Sequence, residues 1–245
     1  MPSNNADLSL PEGFENVVRL FPLPNVVLFP GVVQALHLFE PRYCELMNDA
    51  LAGDELITMA FIKPDWAAEV SANPEIAETV CVGKILSHTQ LDNGCFNLFL
   101  VGTKRARIVT ELEMPTPYRM AEVQILDEDR VEHSPEIVDL RFQIVDKFRS
   151  LVALRPSWNH EALDLFLDDD LPFGQLVDMI CYSCGADPVQ QQAVLELNNL
   201  GTRGRMVLDI LQEQVDLGRK ETGPKEPDGN EPASGQDFPP GFSIN

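Results

Sequence analysis

Cys181-x-x-Cys184 is the residue pair whose type and spacing most invite chemistry, since two thiols three positions apart are a metal or redox signal. A structural zinc site needs four ligands. The other cysteines, Cys44, Cys81 and Cys95, and the histidines, His37, His88, His133 and His160, are scattered. Both thiols also extend an apolar stripe at helical spacing with Phe173, Leu176, Val177 and Ile180. A redox motif belongs at a helix start after a strand, so these two read as small buried hydrophobes. Asp168-Asp169-Asp170 resembles a cation cluster, but acidic residues just before a helix start also cap it and complement its dipole, and capping is the better reading. Lys104, Arg105 and Arg107 form the one basic cluster. On a strand Arg105 and Arg107 share a face opposite Lys104. They can contact a phosphate or pair with surrounding acids, and the acid surplus favours pairing.

Catalytic signatures are missing. The sequence holds no G-x-S-x-G, H-E-x-x-H, S-x-x-K, G-x-x-x-x-G-K-[ST] or G-x-G-x-x-G. Carboxylate pairs abound, but in a chain with 39 Asp and Glu their proximity carries no information. No catalytic, cofactor-binding or metal-binding residue is assigned, and a hydrolase with an unfamiliar site ranks last among the possible functions.

Charge narrows the partners. Eighteen Lys and Arg against 39 Asp and Glu give −21, with 9 basic and 19 acidic residues in 1–130 and 6 against 15 in 131–218. No segment is basic, which disfavours nucleic acid and anionic membrane surfaces. No stretch approaches the ~20 apolar residues of a membrane helix, and MPSNNADLSLPEGFENVV lacks the pattern of a secretory signal. Five cysteines at irregular spacing fit reduced thiols, and the cytoplasm is the expected compartment.

Residues 1–15 read as a loose leader. From 16 to 130 the chain shows short β-type runs at 17–21, 26–29, 33–38, 55–62, 80–88, 95–102, 104–112 and 119–126, which predict a small antiparallel sheet closing towards a barrel. Asp92-Asn93-Gly94 is a hairpin turn. One helix interrupts the strands, opened by Pro41, carried by Tyr43, Leu46, Met47, Ala50 and Leu51, and stopped at Gly53. Lys63–Thr79 reads as a surface loop. From 131 to 218 the period becomes helical: Ser134-Pro135, Pro172 and Asp187-Pro188 open helices, Thr202 caps a fourth, and Gly218 stops it. Residues 219–245, with five prolines and four glycines, read as a disordered tail. Its Phe238 and Phe242 are weak candidates for a docking motif. The order of elements is α+β.

Three stretches carry a family resemblance. Residues 20–51 hold Pro22, Pro24, Phe29-Pro30-Gly31 and Phe39-Glu40-Pro41-Arg42-Tyr43. Val82-Gly83-Lys84-Ile85 leads through the polar hairpin to Val101-Gly102-x-x-Arg105-x-Arg107-Ile108. Leu171-Pro172 and Asp187-Pro188 open a pair of helices. In this order the stretches resemble the N-terminal, substrate-recognition domain of the Lon protease family. The resemblance implies a PUA-like β pseudo-barrel followed by a C-terminal helical subdomain. It makes Pro24, Phe29, Pro30, Gly31, Phe39, Glu40, Arg42, Tyr43, Gly83, Gly102 and Arg105 family-motif residues with structural roles. At the strand-to-helix corner, Phe39 and Tyr43 are expected to bury against the sheet while Glu40 and Arg42 pair.

The Lon ATPase and Ser-Lys peptidase motifs are not found, so the resemblance implies a stand-alone recognition domain without enzymatic activity. The expected partner is polypeptide, either unfolded segments or an adaptor partner, with Trp66 in the Lys63–Thr79 loop as the candidate peptide-binding residue. RNA binding, known for PUA-like barrels, is the alternative, and the acidic charge argues against it.

Overall fold

The structure, a computed structural model, describes residues 9–64, 74–127, 134–155 and 171–222. Its strands are β1 (Val17–Leu23), β2 (Val33–Leu38), β3 (Leu56–Phe61), β4 (Thr79–Gln90), β5 (Phe96–Leu112) and β6 (Met120–Ile125). Its helices are α1 (Pro41–Ala52), α2 (Pro135–Ala153), α3 (Phe173–Ser183), α4 (Pro188–Glu196) and α5 (Leu200–Thr222). The class is α+β, as the change of period predicts.

The sheet is mixed, which corrects the all-antiparallel expectation. β1 lies parallel to β3, with Leu20 opposite Thr58 and Leu23 opposite Phe61, because β2 and α1 lead the chain back between them. Every other pairing is antiparallel. β1 also pairs with β6, β6 with β5, β5 with β4 and β4 with β3, so five strands close a ring. β2 stands outside that ring as an added strand on the first half of β5.

Two further expectations change. The runs 95–102 and 104–112 form one strand, since Gly102 lets β5 pass through a tight crossing instead of turning. The Val26–Phe29 run is not a strand. The prolines flanking it withhold backbone donors, and Val27, Leu28 and Phe29 plug the core as buried side chains.

Apolar residues separate into two layers. Inside the ring, Val18, Leu20, Val80, Val82 and Val123 pack with the small Ala60, Ala106 and Ala121, as a narrow barrel requires. Outside it, residues of β3, β4 and β5 form one core with α1, α2, α3, α4 and α5, continuous across residue 130. Ser134 caps α2 by accepting from the Ile137 N–H, and Asp187 with Gln190 makes a capping box on α4. On α5 the cap is Asn199, whose Oδ1 accepts from the Thr202 N–H at 2.9 Å, so Thr202 is the third helical residue and not the cap. That helix runs through Gly218 to Thr222, because Gly218 packs against Leu154 and nothing there demands a left-handed turn. The first four residues of the expected tail are therefore helical. No helix among the described residues is long and apolar enough to cross a membrane. Trp66, Asp168–Asp170, Phe238 and Phe242 lie outside the described residues.

Candidate functional site

The sequence-predicted residues fall into two groups, one locking the fold and one lining a groove. The locks sit where β5 crosses the Phe29–Val32 segment. Gly31 adopts φ +78° and donates to the Gly102 carbonyl at 2.9 Å, while Gly102 N–H donates to Val32 at 2.9 Å. Pro30 bridges Gly102 directly. A Cβ on Gly83 would stand 2.6 Å from Leu100 Cγ. Phe29, fully buried, fills the core beneath the crossing.

Arg105, which the sequence places in a basic cluster expected to pair with surrounding acids, is 2% exposed. Its Nη1 donates to the carbonyls of Leu195 and Leu197 at 3.1 and 2.8 Å, and Nη2 donates to Asn198 Oδ1 at 3.2 Å. A guanidinium at the C-terminus of α4 satisfies carbonyls that the helix leaves over and opposes the negative end of its dipole. Alternation does turn Arg105 and Arg107 the same way, but α4 covers only the first, and Arg107 and Lys104 lie exposed. Gln192 Nε2 donates to Thr79 O at 2.9 Å and Tyr182 OH to Gln34 Oε1 at 2.7 Å, adding two more ties between helices and sheet. Cys181 and Cys184 are buried, and burial pushes both thiols up, Cys184 to about 11. They stay protonated and unreactive at neutral pH.

The second group surrounds a groove of about 920 Å3. One wall is β2 from Gln34 to Leu38 and the corner from Phe39 to Tyr43. The other is the end of β1 through Val26, with the β5–β6 connection from Glu111 to Arg119. Leu38 turns into the core, so Phe39, its neighbour in an extended chain, must face outward. It is 47% exposed, which corrects the expectation that it buries. It stacks on His37, whose Nδ1 bonds Asn97 Oδ1 at 2.7 Å. Pro41 at the first helical position lets α1 begin at once, with Glu40 O accepting from the Tyr43 and Cys44 N–H groups at 2.9 and 3.0 Å. Glu40 and Arg42 pair at 2.8 Å, as expected at this corner.

Tyr43 does bury, edge-on to Phe21 at 4.6 Å, with the Arg42 guanidinium 4.6 Å from its ring centre. Burial raises its phenol above the ordinary value. Across the groove Arg119 grips Glu111 with two hydrogen bonds, at 2.8 and 2.5 Å, and donates from Nη1 to Pro74 O at 2.8 Å. Tyr118 OH donates to Asp49 Oδ2 at 2.5 Å, and burial together with that bond pushes its phenol up to about 12. Both arginines of the groove are thus engaged by its own carboxylates, and Glu113 adds negative charge.

Pro24 lines the groove, as do Leu23, Val26, Leu36 and Met114, the last 50% exposed. The motif residues Phe39, Glu40, Arg42 and Tyr43, expected to be structural, are gathered on its wall. Gln34, His37, Met114 and Arg119 escaped the sequence reading. The available signal was Met114-Pro115-Thr116-Pro117, a turn too proline-rich to bury its methionine.

The comparisons agree with one another. The model for the ATP-dependent protease La (LON) substrate-binding domain matches residues 17–213. The Lon protease of Dictyoglomus thermophilum is 25% identical over 211 residues, which are 86% of this chain and 26% of that protein. Lon protease 2 of Myxococcus xanthus is 26% identical over 206 residues, 84% of this chain and 24% of that protein. The chain thus spans about a quarter of the length of the curated relatives it matches. Among solved structures, the N-terminal domain of the Mycobacterium avium complex Lon protease superposes with a TM-score of 0.62 at 17% identity, covering 80% of this chain and 98% of that one. The Lon N-terminal domain protein from Xanthomonas campestris gives 0.56 at 20%, covering 79% and 97%. Both share the fold. With the match running from β1 into α5, across the barrel and the helices packed on it, the chain belongs to the Lon substrate-binding domain family.

Proposed function

We propose that the protein is a non-catalytic recognition module that binds polypeptide, taking unfolded segments or a segment of an adaptor partner into the groove between β2 and the β5–β6 connection. Family membership supports substrate recognition as the general role. The observation that carries the reading is the groove itself, which is lined by the half-exposed Phe39 and Met114. Exposed apolar residues lining one concave surface mark an interaction site more than a stable free surface. The charge within the groove supports an apolar to basic occupant, and the internal pairing of Arg42 and Arg119 leaves little for phosphates.

The test is fluorescence anisotropy with labelled, reduced and carbamidomethylated lysozyme, an unfolded basic probe, against native lysozyme as control. Saturable binding of the unfolded form alone is expected, unaffected by excess poly(U). Replacing Phe39 and Met114 together by serine should weaken it about tenfold, the scale of two lost apolar anchors. Equal affinity for native and unfolded lysozyme, or an unaffected double variant, would overturn the reading.

A further inference from the structure

Resting on the polypeptide-recognition reading, we propose that the bound segment enters as an added β-strand, its backbone pairing with the outer edge of β2. Among the described strands β2 pairs with β5 alone, so one of its edges has no strand neighbour. The direction of each β2 residue follows from the ladder. Gln34 stands opposite Leu100 and Leu36 opposite Leu98, and Gly102 donates to Val32 O in the same phase. Val32 therefore turns its C=O, and Gln34, Leu36 and Leu38 turn both N–H and C=O, to β5, while Val33, Ala35 and His37 turn theirs away. An independent contact agrees: Gln34 Nε2 donates to Ala35 O at 2.9 Å, filling the place where a strand donor would sit.

The groove follows β2 from Gln34 to Phe39, a run of roughly 20 Å at the usual rise per residue. An extended chain laid there makes main-chain bonds irrespective of sequence. Its alternate side chains point towards the apolar wall of Leu23, Val26 and Met114. The occupant this fits is an extended segment with apolar residues at every second position and basic residues between them. Arg42 and Arg119 are held by Glu40 and Glu111, Glu113 adds a negative charge, and the whole chain carries −21.

The probe is a fluorescein-labelled decapeptide with Leu, Val and Phe at alternate positions and Lys, Ser or Gln between. Two further versions carry N-methyl groups on one alternating set of amides or on the other. Side-chain alternation fixes which amides face β2. One methylated set should therefore lose binding at least tenfold while the other stays within twofold. Ala35→Pro, which removes an outward N–H and spares the ladder to β5, should lose binding to the same extent. If that variant fails to fold, the methylated peptides alone decide. Equal affinity of all three peptides, or equal loss in both methylated ones, overturns strand addition while leaving polypeptide recognition standing. If the parent decapeptide and unfolded lysozyme both fail to bind, the recognition reading itself falls.

Discussion

The carbonyl of Phe29 lies so close to Gly102 that a Cβ on the glycine would stand 2.0 Å from Phe29 O. Backbone meets backbone there, and no rotamer change relieves the contact. Gly102→Ala is expected to cost about 3 kcal/mol or more, by the logic of overpacking a rigid site. Gly94, in the hairpin turn at φ +83° with open space around it, provides the control. Gly94→Ala should cost only about 1 kcal/mol, from the left-handed backbone. Urea unfolding of the two variants checks both figures, and a Gly102→Ala protein as stable as Gly94→Ala would contradict the crossing.

Arg105 ties β5 to the end of α4 through two carbonyls and Asn198. Arg105→Ala should lose about 3 kcal/mol, since it leaves buried carbonyls without donors. Arg105→Lys should recover less than half of that loss, because an ammonium cannot fork to Leu195, Leu197 and Asn198 together. Full rescue by lysine in thermal melts would show that charge alone matters.

Asp178 on α3 and Arg203 on α5 face each other at 3.3 Å, 1% and 0% exposed. Asp178→Asn should destabilise by about 3 to 5 kcal/mol, since it removes the carboxylate charge that faces a fully buried guanidinium. The double variant Asp178→Leu, Arg203→Met should be closer to the parent than either single change, with the coupling read from a double-mutant cycle.

All three tyrosines, Tyr43, Tyr118 and Tyr182, have phenols raised above their ordinary value, each chiefly by burial. A group that holds its proton more tightly when folded stabilises the fold below its unfolded pKa and loses that contribution as pH rises. Tyr118 moves from 10.0 to about 12, so stability should fall across that window as the unfolded chain releases protons first. In a spectrophotometric titration, tyrosinate absorbance should appear together with loss of near-ultraviolet circular dichroism. Ionisation of all three at pH 10 in a folded protein would refute the buried environments.

Much of this architecture was legible in the sequence, and the exceptions share a cause. Pro41, Ser134 and Asp187 act within a few residues of themselves, so their helix starts could be read directly. Cys181 and Cys184 followed the helical stripe and are buried as that stripe requires. The parallel β1–β3 pair, the carbonyl clamp of Arg105 and the Asp178–Arg203 pair depend on partners far along the chain, and no local spacing encodes them. The groove was half legible. Its motif wall was found, but as a fold determinant, because alternation alone did not reveal that Leu38 would take the inward position and leave Phe39 outside.

The reach of β5 also sets the order in which the protein can be made. Its first half waits for no one, since β2 precedes it, but the ring closes only when β6 has been synthesised. The Leu195, Leu197 and Asn198 acceptors of Arg105 leave the ribosome some 90 residues later. At about 5–20 residues per second that interval is roughly 5–20 s. During it the part of the outer core completed by α4 and α5 lacks those helices. A nascent chain stalled in this interval is the species that chaperones would meet.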